Sequence, residues 1–198
     1  MRGSYETIVL LYHVTGTGKT VTAVSDAKRL GKRTLFLAHT KELVYQTYDC
    51  FRKLWPEVSA GRYVEGYRKA DAYVVCGSIR SVAANIGMFA PDDFGYLVID
   101  KCHHGTAEMY RKITSYFNPL FTLRLTARPE CTDGEDPLDI FKNVAHKLDL
   151  KTAVELDALV SVRCICIATN IDLRDVRINI FQYNALDLES KIQIPGRN

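Results

Sequence analysis

Six short apolar runs punctuate the chain, at 7–12, 34–38, 73–76, 96–100, 121–125 and 162–168. Within each run the apolar residues are near-continuous rather than alternating, as expected of strands covered on both faces of a parallel sheet. Helix-length stretches fall between them, near 19–30, 41–54, 78–84 and 107–116. This βαβα rhythm predicts an α/β fold built on a doubly wound, mostly parallel sheet. Ligands of such sheets sit beyond the carboxyl ends of the strands, so the residues just after each apolar run are the places to look for chemistry. Residues 130–137, rich in charge, Gly and Pro, read as a loop. After Thr169 charge mixes with isolated apolar residues at no clear period, which fits a final strand pair or an element that needs a partner. No internal repeat or low-complexity tract interrupts the pattern.

The residues after the first run are Thr15-Gly16-Thr17-Gly18-Lys19-Thr20. Glycines at this strand-to-helix junction let the backbone curl until successive N–H groups point at one anion. The helix that follows directs its positive dipole end at the same place. Lys19 adds a charge that reaches the β- and γ-phosphates of a nucleotide, and the Thr20 hydroxyl is a Mg²⁺ ligand. The full phosphate-loop pattern has a glycine five residues before Gly18, where this chain has His13. The competing reading is an ordinary Gly/Thr turn; the strand-loop-helix context favours ATP with Mg²⁺.

Composition narrows the setting. The chain has 198 residues, enough for one domain with a good-sized core, and its 47% hydrophobic and 25% charged content is ordinary for a soluble globular protein. A net charge of +3 does not by itself imply nucleic-acid binding, so any such site must be local. No uninterrupted apolar stretch approaches the roughly 18 residues of a membrane span, and the N-terminus lacks a signal-peptide layout. The six cysteines, Cys50, Cys76, Cys102, Cys131, Cys164 and Cys166, form no C-x-x-C pair. Cys164 and Cys166 alternate on one face of an expected strand, so reduced, mostly buried thiols in a cytoplasmic protein are the expectation.

The fourth run, Tyr96-Leu97-Val98-Ile99-Asp100, ends in a carboxylate, where a phosphate-loop protein needs an acid for Mg²⁺. A turn or helix-capping aspartate is the alternative. Four segments then occur in order: 15–20, Ala38-His39-Thr40-Lys41-Glu42-Leu43, Asp100-Lys101-Cys102-His103 and Leu125-Thr126-Ala127-Arg128-Pro129-Glu130. They resemble motifs I, Ia, II and III of superfamily 2 helicases, most of all the DEAD/DEAH-like ATPase domains of type III restriction subunits and related bacterial DNA helicases. The resemblance covers nearly the whole chain, including the Asp133-Gly134 loop. It implies a RecA-like first domain, here 1–168, with 169–198 as an extension leading towards a second RecA-like domain.

The resemblance also implies roles. Lys19 and Thr20 would hold phosphate and Mg²⁺, with Asp100 as the second metal residue. His103 would link the nucleotide site to Thr126 and Ala127, coupling hydrolysis to movement on nucleic acid, with DNA favoured over RNA by the resemblance and neither decided by the residues themselves. Thr40 and Lys41 open a helix whose N–H groups suit a nucleic-acid phosphate, and Ser78 and Arg80 would add a contact. Taken one by one, Lys41, Arg68, Lys69 and Arg80 also read as solvated surface charge.

Several departures limit what the resemblance implies. The family's motif II places a water-activating glutamate after the magnesium aspartate; here it is Lys101, an ammonium that accepts no proton while charged. Motif III lacks its second hydroxyl because Arg128 follows Ala127, and Thr40 stands where motif Ia commonly carries arginine. The chain is read as starting almost at motif I and ending before motifs IV to VI, which the resemblance places on a second RecA-like domain, with another chain as its expected carrier. The expectation is the ATP-binding domain of a superfamily 2 DNA helicase or translocase that binds Mg-ATP weakly, hydrolyses it slowly and unwinds nothing alone. A non-enzymatic helicase fragment that keeps only nucleotide or DNA binding is the alternative; a small-molecule kinase is disfavoured by motifs Ia and III.

Overall fold

The computed structural model describes residues 7–100, 107–127, 143–161, 178–179 and 182–183. The chain divides into two compact units, residues 1–160 and 161–198. The described residues of the first unit are organised by an eight-stranded sheet of order β4-β3-β5-β2-β6-β7-β1-β8. Its strands are β1 Thr7–His13, β2 Thr34–Ala38, β3 Ala60–Val64, β4 Tyr67–Arg68, β5 Val74–Ser78, β6 Tyr96–Asp100, β7 Phe121–Thr126 and β8 Val144–Leu148. All neighbours run parallel except β3 and β4, which form an antiparallel hairpin. The second unit contributes an antiparallel pair of two-residue strands, β9 Ile178–Asn179 and β10 Gln182–Tyr183.

Side chains of a strand alternate between faces, and this divides the apolar runs between two cores. Phe36 and Ala38 of β2, Cys76 of β5 and Tyr96 and Val98 of β6 join one core, with Ala23, Val24 and Ala27 of helix α1 (Lys19–Leu30) and Val44 and Phe51 of α2 (Lys41–Leu54). Leu35 and Leu37, Val75, and Leu97 and Ile99 face the other way, onto Ile79 and Val82 of α3 (Ile79–Ala84) and Ile113 of α4 (Ala107–Tyr116). Every residue of β2, β5 and β6 is buried, which is why these strands read as unbroken apolar runs. Phe89, Phe94 and Phe117 pack against one another with ring centroids 5.4–6.1 Å apart and seal the second core. Cys50 and the buried Cys76 are free thiols, and burial pushes the Cys76 thiol far above its usual range.

The doubly wound fold is as expected, and four predicted strands and all four predicted helices stand in place within a residue. The fifth, foreseen at 73–76, is shifted: Tyr73 is exposed and the strand runs Val74–Ser78, so Ser78 caps α3 rather than starting it. Elements the apolar pattern did not announce are β3, β4, β8 and the short helix α5 (Leu150–Glu155). Their compositions explain the silence. β3 carries Gly61 and Arg62 in its middle, and four residues of β8 are exposed at the sheet edge, where polar side chains protect against edge pairing. The expected strand 162–168, the loop 130–137, Cys102, Cys131, Cys164 and Cys166 lie outside the described residues. Among the described residues, no helix is long and apolar enough to cross a membrane.

Candidate functional site

Residues 14–18 join the end of β1 to α1, and the backbone there takes the form that only glycine adopts without strain. Gly16 has φ 93° and Gly18 has φ 82°, both left-handed. Gly18 is also the N-cap of α1 and offers no side chain to the helix's first N–H groups, which leaves the cap position to an anion. A Cβ at Gly18 would find its nearest neighbour, Val21 Cβ, only at 4.0 Å, so the demand for glycine is conformational; at Gly16 a Cβ would press on Leu159 Cδ2 at 3.2 Å.

Lys19 is 9% exposed, and its ammonium donates to the carbonyls of His13 at 2.8 Å and Val14 at 3.0 Å. Thr17 Oγ1 donates to the same Val14 carbonyl at 2.7 Å. These bonds tie the loop back to the strand end and hold the cationic head inside its curve. Thr15 and Gly16 lie exposed along the loop, and Thr20 is half-buried in the first turn of α1. The residue types suit a Mg-nucleotide: curled N–H groups, a positioned ammonium and a first-turn hydroxyl.

The sheet carries a second group of expected residues to the same edge. β7 lies between β1 and β6, pairing Tyr12 with Thr126 and Asp100 with Leu125. Asp100 is the last residue of β6 and is 7% exposed. Thr126 ends β7, and Ala127 follows it half-buried. Lys101, His103, Arg128 and Glu130 lie outside the described residues.

A third group sits one strand further along. Ala38 of β2 pairs with Ser78 of β5, so the starts of α2 and α3 emerge side by side from the same edge. Both predicted hydroxyls are engaged as helix caps: Thr40 accepts from the Leu43 N–H at 3.3 Å, and Ser78 accepts from the Ser81 N–H at 3.2 Å and donates to Ser81 Oγ. A phosphate at either helix start would therefore meet backbone N–H groups and the exposed Lys41 and Arg80. Arg80 also lines an open groove of about 590 Å³ between α3 and α4, with Glu108, Arg111 and Lys112.

One feature of the loop was invisible in the linear sequence. His13, the residue in place of the pattern's first glycine, shares a 2.8 Å hydrogen bond between its Nε2 and Nδ1 of His146 on β8. His13 Nδ1 is buried with no hydrogen-bond partner among the described residues. A bare ring nitrogen is less costly to bury than an N–H, so we assign the proton to His13 Nε2, donating to His146. Burial, the neighbouring His146 ring and the Lys19 charge all hold the His13 pKa below the ordinary value of 6.5. The sign follows directly. Below about pH 6.5 the unfolded chain takes up a proton at this position that the folded chain resists, so His13 costs stability as pH falls. The 198-residue chain is expected to lose thermal stability between pH 7 and pH 5 more steeply than a His13→Gln variant. Parallel melting curves for the two would remove His13 from that role.

Comparison with known proteins adds the relatives. Residues 3–131 match the family described as type III restriction enzyme, res subunit. The type I restriction enzyme EcoAI endonuclease subunit of Escherichia coli is 32% identical over 184 residues, covering 85% of this chain and 22% of that protein. The chain thus spans about a fifth of that curated relative's length. Among solved structures, a hypothetical ATP-dependent RNA helicase from Sulfolobus tokodaii superposes with a TM-score of 0.63 at 18% identity, over 75% of this chain and 50% of that one. The UvsW helicase from bacteriophage T4 does so at 0.57 and 22% identity, over 68% and 52% of the two chains. These two likenesses are of fold.

Proposed function

The chain belongs to the type III restriction enzyme res subunit family, as the first RecA-like, ATP-binding domain of a superfamily 2 helicase or translocase, and from that premise we propose that it binds Mg-ATP at 15–20 and grips a nucleic-acid backbone beside it. The observation that carries this reading is the loop itself: two left-handed glycines leading into a buried lysine beyond the carboxyl end of β1. Loop N–H groups and Lys19 would hold the β- and γ-phosphates, with Thr20 and Asp100 as the metal residues. Bound Mg²⁺ would neutralise phosphate charge. Thr126 and Ala127 at the end of β7 stand between the strands that carry the loop and Asp100, and with His103 they are the residues we assign to coupling.

The starts of α2 and α3, with Lys41 and Arg80, form the track for phosphates of the strand. Contacts of this kind fix position without reading sequence. The restriction-endonuclease relative favours DNA as that strand. We assign 1–168 to the nucleotide-binding domain and the remainder to an extension, and a second RecA-like domain to whatever completes the ATP cleft. Lys101, next to the metal aspartate, supports slow hydrolysis. It also supports the second reading, a binding module that holds nucleotide without turning it over.

Thermal unfolding of the chain with and without Mg-ATP tests the reading. A ligand that binds only the folded state stabilises by RT ln(1 + [L]/Kd), about 2.7 kcal/mol at a hundred times Kd. The melting temperature is expected to rise with Mg-ATP concentration and to respond little to adenosine, which lacks the phosphates. A curve that does not move at millimolar Mg-ATP would sink the proposal.

A further inference from the structure

The hairpin at the sheet edge and the helix α2 packed over it share a row of cations and aromatic rings that nucleotide binding leaves unused. Arg62 lies in mid-β3 and turns to the face that carries α2. Its guanidinium faces three tyrosine rings: Tyr45 at 4.8 Å and Tyr48 at 5.0 Å on α2, and Tyr67 at 4.6 Å on β4. The Lys41 ammonium stands 5.9 Å from the opposite end of this row, over Tyr45 one helical turn on. Lys41, Tyr45, Arg62 and Tyr67 therefore form one continuous line. It runs from the helix start assigned to the phosphate track to the tip of the hairpin.

Three observations separate this row from ordinary packing. Arg62 Nε is buried without a hydrogen-bond partner, and no carboxylate pairs with Arg62 among the described residues. A leucine would fill the same space without leaving a buried donor unpaired. The outermost ring, Tyr67, is 45% exposed beside the exposed Arg68 and Lys69, with Glu65 as the acid at the turn. The hairpin also stands on the working edge, because Tyr63 of β3 pairs with Gly77 of β5, one residue before Ser78.

We propose that the Lys41–Tyr45–Arg62–Tyr67 row extends the phosphate track and takes unpaired bases of a single strand, the outermost stacking on Tyr67. Exposed aromatic faces beside cations are the means by which single strands are held without sequence preference, because every base has a π-face. Arg62 keeps the rings in line through cation–π contacts. A duplex, with its bases stacked inside, offers Lys41 a phosphate but Tyr67 no base face. The proposal rests on the nucleic-acid reading given above, and its test separates the two.

The test uses the 198-residue chain and two fluorescent probes at low salt, an oligothymidylate of about sixteen nucleotides and an abasic strand of equal length. The unmodified chain is expected to prefer the base-bearing strand by about fivefold to tenfold, the lower range for one stacked base. Tyr67→Ala should bring oligothymidylate down to the abasic level without changing abasic binding, and Tyr67→Trp should restore the preference. Lys41→Ala should weaken both strands alike. Equal binding of both strands by the unmodified chain overturns the stacking proposal and leaves the backbone track standing. A base preference that survives Tyr67→Ala in a folded variant overturns it too. Failure to bind either strand removes the nucleic-acid reading and this proposal together.

Discussion

Replacing Lys19 with alanine is expected to weaken Mg-ATP binding by about tenfold to a hundredfold, the range for losing a charge-assisted hydrogen bond of roughly 1.5–3 kcal/mol. The ammonium is placed for this. It lies 9% exposed inside the curve of the loop, bonded to the carbonyls of His13 and Val14, so little side-chain entropy remains to be lost when a phosphate arrives. Those same bonds complicate a single substitution, because alanine also unties the loop from β1. Lys19→Gln separates the two effects: its amide can still donate towards the carbonyls, but the charge is gone. If the charge is what matters, both variants bind poorly by calorimetry, and the glutamine variant melts close to the unmodified chain in the absence of nucleotide. Retention of affinity within twofold by Lys19→Ala would mean that 15–20 is not where the nucleotide binds.

The contrast between this loop and the residues around it shows what a linear sequence makes legible. Strands β2, β5 and β6 are covered on both faces; the apolar runs of β2 and β6 announce them with the bounds observed, whereas the run at 73–76 marked β5 but missed its Gly77-Ser78 end. The glycines at 16 and 18 and the lysine at 19 act within a few residues of one another, so their spacing carried the geometry. Partners brought together by the sheet were not legible. His13 and His146 are 133 residues apart and meet only because β8 adds parallel to β1. Arg62 carried no signal in the linear sequence, because the rings that face it come from α2 and from the returning strand β4. Thr40 and Ser78 show a subtler gap. Their positions after β2 and β5 pointed to phosphate, while their hydroxyls are engaged in capping the helices they precede. The start of α2 was located at Lys41 and that of α3 one residue early, at Ser78, and which atoms there remain for a ligand depends on local hydrogen bonds.

Replacing Lys101 with glutamate is expected to accelerate ATP hydrolysis by at least about a hundredfold, the lower bound of a general base's usual contribution of 10²–10⁴. Asp100 ends β6 buried at the sheet edge shared with the phosphate loop. The next residue in the chain is the position from which a side chain would orient the attacking water in the motif that Asp100-Lys101-Cys102-His103 resembles. A carboxylate there accepts the water's proton as the oxygen attacks the γ-phosphorus; an ammonium holds all its protons and has no lone pair to offer. Its charge still attracts the γ-phosphate, so binding and turnover should separate: the unmodified chain keeps ATP, and Lys101→Glu gains rate without gaining affinity. Single-turnover hydrolysis with radiolabelled ATP and protein in excess measures the chemical step directly. A lysine acting as the base would reveal itself differently, through a rate in the unmodified chain that climbs steadily above pH 7 as the amine loses its proton. Strong nucleic-acid-stimulated turnover at neutral pH by the unmodified chain would show that Lys101 does not slow the chemistry, and a Lys101→Glu variant no faster than its parent would show that this position does not limit the rate.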